Sequence, residues 1–222
     1  MMTLKQQLIQ ISDAGFSRIP KAIAQVLLDG IKEVRLSNLK KNALKKGDYV
    51  PDLEVLNSFG ISTSIQELVT HKLLIINFYR GGWCPYCNTE LRAYEKLKED
   101  FAELGAGIVA ISAETPEITI QTSNKNHLSF PVLSDQNAKL MKAFGIVFQL
   151  NKKLREEYTN FGINLSEIHD NSNYELPVPA IYVINKDLEI VYDYFEENHM
   201  LRLEPKDLLN VLKDEISTLY IK

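Results

Sequence analysis

The two cysteines of the chain, Cys84 and Cys87, stand three residues apart in the stretch FYRGGWCPYCNTEL, residues 78–91. An apolar run at 73–79 and a Gly-Gly turn precede them, and Pro85 fits the first position of a helix. Cys84 therefore falls at or beside a helix N-cap. The free N–H groups and partial positive charge there favour the thiolate, which is the reactive form of cysteine. Because the spacing also lets the sulfurs form a disulfide, the sequence predicts a redox-active dithiol.

The helix that follows predicts different exposures for the two cysteines. One helix face carries residues at i, +4, +7, +14 and +17, and we expect it to point into the core: Cys87, Leu91, Tyr94, Phe101 and Leu104. Cys87 is then the buried cysteine, and Cys84 lies at the exposed end. Exposure favours Cys84 as the attacker of a bulky protein disulfide, whereas a small hydroperoxide still reaches Cys87. The choice of nucleophile stays open at this point.

Two buried cysteines can also be inert packing residues. A zinc site needs about four ligands, and a single CxxC supplies two of them. The histidines, at positions 71, 127, 169 and 199, do not stand at tight ligand spacing to one another. We therefore expect no metal and no other cofactor.

Composition limits the partners and the compartment. The chain has 222 residues, of which 45% are hydrophobic and 24% are charged, an ordinary balance for a globular protein that buries a full core. Its net charge of −4 gives no basic surface for nucleic acid. No apolar run approaches the roughly 18 residues of a membrane span, and the N-terminus is too polar for a signal peptide. We expect a cytoplasmic protein, with thiols kept reduced, that binds neither nucleic acid nor membrane.

The order of the predicted elements indicates an α/β fold. Residues 1–45 predict a helical extension, and residues 46–222 predict one domain. Strands are expected at 53–56, 73–79, 107–113, 130–135, 180–185 and 190–195, and helices at 64–69, 85–104, 116–125, 137–144 and 205–219. An insertion at 149–176 carries a further helix. Thr115 should cap the helix at Pro116, and Ile216 should face inward in the closing helix. These elements predict a mixed central sheet flanked by helices.

In the stretch that holds the two cysteines and in two later segments, the chain resembles the peroxiredoxin-like proteins of the alkyl hydroperoxide reductase/thiol-specific antioxidant group, in the thioredoxin-fold superfamily. FYRGGWCPYCNTEL resembles the peroxiredoxin pattern F-Y-P-x-x-F-T-x-x-C-P-T-E-L without a gap, and Cys87 falls on the peroxidatic cysteine. FPVLSDQNAKLMKAFGI and PAIYVINKD resemble later segments, so the likeness covers about Lys46 to Ile216. It implies a thioredoxin-like fold and a thiol peroxidase in which Cys87 attacks a hydroperoxide and Cys84 resolves the sulfenic acid. Thioredoxin or glutathione would restore the dithiol.

The chain departs from that pattern at three positions. Peroxiredoxins hold the peroxide with a proline, a threonine and an arginine, where this chain has Arg80, Cys84 and Pro179. Arg80 is the candidate for the missing cation, and a surface ion pair is the alternative role for it. The three residues expected to line the substrate site are Arg80, Pro179 and Trp83, the last of which could equally pack in the core.

The same stretch resembles the W-C-x-x-C of thioredoxin-like reductases. Pro179 falls where that superfamily keeps a cis-proline facing the dithiol, so we expect a cis Val178–Pro179 bond. Asn77 stands where thioredoxins have a buried aspartate, and an amide cannot act as a base. This resemblance implies a thiol–disulfide oxidoreductase in which Cys84 attacks and Cys87 resolves. A third hypothesis is a redox-sensing interaction module, and the helical extension leaves a homodimer open.

Overall fold

The computed structural model of the protein describes residues 2–219, and a seven-stranded mixed sheet lies at its centre. The strands of this sheet are β1 (Glu54–Leu56), β2 (Ser62–Ser64), β3 (Leu73–Phe78), β4 (Ala106–Ser112), β5 (Val132–Ser134), β8 (Ala180–Asn185) and β9 (Ile190–Phe195), in the spatial order β2-β1-β5-β4-β3-β8-β9. β3, β4 and β5 run parallel, and the other neighbouring pairs are antiparallel. The two remaining strands, β6 (Val147–Gln149) and β7 (Glu175–Pro177), form a separate antiparallel pair.

Helices cover both faces of the sheet, as the sequence predicted. Their bounds are α1 (Leu4–Phe16), α2 (Lys21–Leu36), α3 (Leu39–Asn42), α4 (Ile65–Leu68), α5 (Pro85–Glu95), α6 (Lys98–Glu103), α7 (Pro116–Asn126), α8 (Lys139–Ala143), α9 (Lys152–Asn160), α10 (Leu165–Ile168) and α11 (Pro205–Leu219). The apolar core of one face joins β3 to α5, α6 and α11, and the core of the other face joins β3 to α2, α4 and α8. β3 is apolar on both faces because it lies between these two cores.

The helical extension packs on its own chain. Thr3 is the N-cap residue of α1, and its side chain forms a capping box with Gln6. Leu4 and Leu8 of α1 are buried where the helix packs on α5. α2 packs on α9, the helix of the insertion. The boundary between an extension at 1–45 and a domain at 46–222 stays a prediction, as does the homodimer.

The structure differs from the sequence-based expectations at several elements. The helix expected over 85–104 is two helices, because Leu97 leaves helical geometry at φ −111° and ψ 12°. Tyr94 and Phe101 would be about 10 Å apart along a straight helix, whereas the break lets their rings stack with centroids 6.0 Å apart. Thr115 precedes α7, but its side chain forms no capping hydrogen bond.

A further difference concerns the insertion. The sequence did not predict β6 and β7, which are only three residues long and close the base of the insertion. The expected inward position of Ile216 lies outside the described side chains. No helix in the described part of the chain has the length and the apolar character that a membrane crossing needs.

Candidate active site

The dithiol lies where β3 turns into α5. Cys84 is the N-cap residue of α5, Pro85 follows at the first helical position, and Cys87 lies in the first turn, as expected. Both thiols are free. Cys87 is 0% exposed and Cys84 is only 1% exposed. The expectation that Cys84 is the exposed cysteine is therefore wrong, because the extension and the insertion cover the end of α5.

A buried carboxylate holds the turn before the dithiol. Glu114, which follows β4, accepts hydrogen bonds from the Gly82 backbone N–H at 2.8 Å and from the Tyr79 hydroxyl at 3.1 Å. Its burial raises the pKa of Glu114, and these donors oppose the rise.

The turn needs both of its glycines. A side chain at Gly82 would overlap the Thr122 hydroxyl, and Gly81 adopts φ 151° against Trp83. The two glycines are thus required by close approach of the chain to its neighbours.

An arginine that the sequence analysis did not select contacts the buried sulfur. Arg202, in the segment between β9 and α11, donates from Nη2 to the Cys87 Sγ at 3.3 Å. Its Nε donates to Glu90 Oε2 at 2.6 Å, and both side chains of this ion pair are buried. Glu90 lies one helical turn after Cys87 on the same face of α5. Cys87, Glu90 and Arg202 therefore form one buried cluster at the start of the helix.

Arg80 is a second buried cation beside the dithiol. It is 3% exposed, which rules out the surface ion pair that was the alternative role. Its guanidinium donates to the Tyr158 hydroxyl and lies 4.9 Å from the Trp83 ring centroid. Within the described residues no carboxylate forms an ion pair with Arg80, and its Nε has no hydrogen-bond partner. Arg80 is thus a cation held by aromatic rings without a fixed counterion.

A cavity of about 250 Å³ opens beside Cys84. We call it the thiol chamber. Its floor includes Cys84, Arg80 and Trp83, and its walls include Phe16 from α1 and Tyr158 from α9. Cys87 is not among the described residues that line it. The chamber therefore gives a small molecule a route to Cys84.

The two cysteines titrate as a pair. Burial by itself would raise the pKa of Cys84, but a hydrogen bond from Cys87 and the charges of Arg80 and Arg202 lower it to about 6. The pKa of Cys87 is raised well above its ordinary value by burial and by the neighbouring Cys84 thiolate. One thiolate is therefore present at neutral pH. The hydrogen bond between the sulfurs lets a proton transfer move that charge from Cys84 to Cys87.

Two neighbouring groups also have shifted pKa values. Burial raises the pKa of Glu90 to about 7, with Arg202 opposing the rise. Burial and the two arginines lower the pKa of His199 well below its ordinary value, so the imidazole is neutral at pH 7. His199 lines the thiol chamber, and its ring contacts the Tyr86 ring at 5.8 Å between centroids.

The remaining predicted residues divide into two groups. Trp83 lies on the floor of the thiol chamber and also packs against Tyr158, and its role in binding substrate stays a prediction. Pro179 does not line the chamber; it lines a narrow cavity of about 20 Å³ beside Arg80 and His199. The expected cis bond before Pro179 is wrong, since all described peptide bonds are trans. Asn77 is fully buried on β3, and its side chain has no hydrogen-bond partner.

Three residues beside the dithiol were not predicted from the sequence: Arg202, Tyr158 and His199. One signal pointed to Arg202: a glutamate on the buried face of a helix needs a cation, and Glu90 lies one turn from Cys87 on that face. Nothing in the sequence selects which arginine supplies it, because Arg202 is 112 residues away along the chain.

The fold and the site define a class of protein. A dithiol at the N-terminus of a helix, after an inner strand of a mixed sheet, is the arrangement of a thioredoxin-fold oxidoreductase. Peroxidoxin BcpB from Mycobacterium tuberculosis has a similar structure, with a TM-score of 0.62 and 21% identity over 77% of this chain and 97% of that one. The predicted thioredoxin-like fold is confirmed.

Residues 46–193 match the AhpC/TSA family, and the chain belongs to that family. It is 32% identical over 112 residues to peroxiredoxin Bcp from Bacillus subtilis, covering 50% of this chain and 70% of Bcp. It is 36% identical over 107 residues to thiol-disulfide oxidoreductase ResA from Halalkalibacterium halodurans, covering 48% of this chain and 60% of ResA. The chain is a thiol-dependent peroxidase of the peroxiredoxin class, and the similarity to ResA fits the alternative function.

Proposed function

We propose that the protein reduces hydroperoxides by attack of Cys87, with Cys84 as the resolving cysteine. The observation that carries this proposal is the 3.3 Å contact between Arg202 Nη2 and the Cys87 sulfur. Peroxide reduction places negative charge on the oxygen that leaves, and a fixed guanidinium beside the attacking sulfur stabilises that charge. Glu90 orients this guanidinium, as a carboxylate with an arginine fork does elsewhere.

The two cysteines supply the two electrons that reduce the hydroperoxide, and an external reductant returns them. The Cys87 thiolate attacks the terminal oxygen of ROOH, the O–O bond breaks to give the Cys87 sulfenic acid and RO⁻, and RO⁻ takes a proton from water and leaves as ROH. The Cys87 sulfenic acid then reacts with the Cys84 thiol, which forms the disulfide and releases water. Two external thiol groups reduce this disulfide. The family supports a thioredoxin-type reductant, and glutathione is the second candidate. Because the cycle needs a reducing compartment, we place the protein in the cytoplasm.

A second candidate function is thiol–disulfide exchange that begins at Cys84. It is favoured by the position of Cys84 on the floor of the thiol chamber and by its lowered pKa. In that reaction Cys84 attacks a substrate disulfide and Cys87 resolves the mixed disulfide. The two functions use the same cysteines in the opposite order, so an experiment on single-cysteine variants separates them.

The test is intact mass and sulfenic-acid labelling of Cys84→Ser and Cys87→Ser after about one equivalent of hydrogen peroxide. The peroxidase predicts rapid sulfenic acid formation in Cys84→Ser and slow formation in Cys87→Ser. Rapid oxidation confined to Cys87→Ser would contradict attack by Cys87. A mixed disulfide that accumulates through Cys84 in Cys87→Ser would support exchange.

A further inference from the structure

Some walls of the thiol chamber come from outside residues 46–193, the region that matches the family. Ile11, Phe16 and Ile19 precede residue 46, and His199 follows residue 193. Tyr158, Phe161 and Ile163 belong to the insertion. Gly15 and Phe161 are exposed, which places the mouth of the chamber between α1 and the insertion. The chamber therefore joins residues of the matched domain, the insertion among them, to residues from the helical extension and from beyond residue 193.

These walls limit which molecules reach the dithiol. Exchange requires the attacking sulfur to reach a disulfide sulfur directly, so access controls its rate. Cys84 is 1% exposed at the floor of the chamber. A protein reductant would have to bring its own folded surface past α1 and the insertion. A cavity of about 250 Å³ is instead close to the lower limit of roughly 300 Å³ for small-molecule sites.

The charges around the dithiol change when it is oxidised. In the reduced protein the cations Arg80 and Arg202 face two anions, Glu90 and the single thiolate of the pair. A disulfide carries no charge, so oxidation removes one anion. Arg202 keeps Glu90 as its partner, and Arg80 is left without one. Glu197 lines the narrow cavity on the other side of Arg80, but no ion pair joins the two.

We propose that the oxidised protein is reduced by a small thiol that carries carboxylate groups, bound in the thiol chamber with a carboxylate at Arg80. This inference rests on the proposed function and identifies its reductant. The thiolate RS⁻ attacks the Cys84 sulfur, the disulfide breaks, and Cys87 leaves as a thiolate beside Arg202 and takes a proton. The small thiol is now bonded to Cys84 as a mixed disulfide. A second RS⁻ attacks the small-thiol sulfur of this mixed disulfide, which gives RSSR and the Cys84 thiolate. Two thiols are oxidised and one disulfide is reduced.

The test uses protein whose disulfide has been formed with diamide, so it does not depend on peroxide chemistry. Reduction is followed by mass after alkylation, with glutathione as the anionic thiol, 2-mercaptoethanol as the neutral one and cysteamine as the cationic one. Rates are compared per thiolate, because the three thiols differ in pKa. We expect glutathione to be faster than cysteamine by about tenfold or more, with 2-mercaptoethanol between them.

Arg80→Gln should remove this order of rates. Arg155→Gln is the matched control, since Arg155 also lies over an aromatic ring, Tyr174 at 4.4 Å, but does not line the chamber. Gly15→Leu should narrow the mouth of the chamber and slow reduction by glutathione, because Gly15 lines the chamber. The substitution should not disturb the fold, because an added Cβ at Gly15 meets no atom within 4 Å. Ala14→Leu adds similar bulk to the adjacent position of α1, which does not line the chamber, and should not slow glutathione.

Three results would overturn the inference: rates that follow thiol basicity alone, an unchanged order in Arg80→Gln, or faster reduction by thioredoxin than by glutathione. Its failure is separate from failure of the proposed function. Hydrogen peroxide consumption with dithiothreitol, but no charge preference in the diamide-oxidised protein, would reject only the reductant. A clear charge preference without any oxidation of Cys87 by peroxide would reject only the peroxidase.

Discussion

At the scale of single residues, the site depends on two buried arginines with different partners. Arg202 is held by Glu90 and touches Cys87, whereas Arg80 is held by the rings of Trp83 and Tyr158. A buried cation is costly unless an anion compensates it. Glu90 compensates the charge of Arg202, and Arg80 has no carboxylate partner among the described residues. The single thiolate of the cysteine pair compensates the charge of Arg80.

Arg202→Gln should slow the oxidation of the dithiol by hydrogen peroxide by about 100-fold or more, the usual cost of losing a fixed donor at a developing charge. Competition kinetics against a peroxidase of known rate measures this loss. Arg155→Gln, which removes a guanidinium that does not line the thiol chamber, serves as the control. An unchanged rate in Arg202→Gln would exclude Arg202 from the reaction.

The same substitution leaves Glu90 buried without a partner, which costs about 3–5 kcal/mol of stability. Glu90→Gln/Arg202→Gln has no unpaired charge and should unfold at a higher temperature than Arg202→Gln alone. Comparing the peroxide rates of the two variants therefore separates loss of the guanidinium from loss of folding. If the double variant regained the wild-type rate, stability rather than chemistry would explain the slow single variant.

The pH dependence of thiol reactivity follows from the lowered pKa of Cys84, about 6. The thiolate is the reactive form, so the rate of iodoacetamide alkylation should rise with pH up to about 6 and level off above about 7. Arg80→Gln removes a cation that stabilises the thiolate and should move the midpoint to higher pH. A midpoint near 8.5, the value of an ordinary cysteine, would contradict the proposed charge balance.

At the scale of elements, the turn between β3 and α5 is stabilised by hydrogen bonds to Glu114, which follows β4. The Glu114 carboxylate accepts from four donors: Tyr79, Gly82, Ser112 and Thr122. No single element of the fold supplies this site. The parallel pairing of β3 with β4 brings the Glu114 carboxylate under the turn that carries the dithiol.

Glu114→Gln should destabilise the protein by about 1–3 kcal/mol, because an amide places donors against donors at this buried position. Thermal unfolding measures the change. Ser112→Ala removes two longer contacts of 3.3 Å, one to the Glu114 carboxylate and one from the Glu114 backbone N–H, and should cost less. Equal stability of Glu114→Gln and the wild type would mean that the turn is held by its backbone alone.

At the scale of the whole molecule, the helical extension acts as part of the core and as part of the site. Leu4 and Leu8 of α1 are buried, and Phe16 at the end of the same helix lines the thiol chamber. The extension thus couples the stability of the fold to access to Cys84.

Leu8→Ala should destabilise the protein by about 2–4 kcal/mol through the cavity it leaves. Urea unfolding should still be one transition, with the same midpoint by circular dichroism and by the fluorescence of Trp83, the single tryptophan of the chain. Ile9→Ala is the matched control, since Ile9 is 49% exposed on the same helix. Separate transitions for the two probes would show that α1 opens independently of the sheet.

The sequence by itself determined the local elements that carry the dithiol. The apolar run at 73–79 predicts β3 because only a strand between two cores is apolar on both faces, and Pro85 predicts the start of α5 because its ring fits the first helical turn. The CxxC spacing and the family pattern then predict the dithiol and the class of oxidoreductase. Each of these signals lies within a few residues of the feature it predicts.

The tertiary structure alone decided the surroundings of the sulfurs. Arg202 reaches Cys87 from 115 residues away, and the walls that bury Cys84 come from the extension and the insertion. Exposure and charge pairing are properties of distant segments brought together by packing, so a local pattern could not predict that both cysteines are buried. Arg80 could be predicted as a cation of the site because it lies four residues before Cys84 in the sequence. Arg202 could not, because only the fold brings it into contact with Cys87.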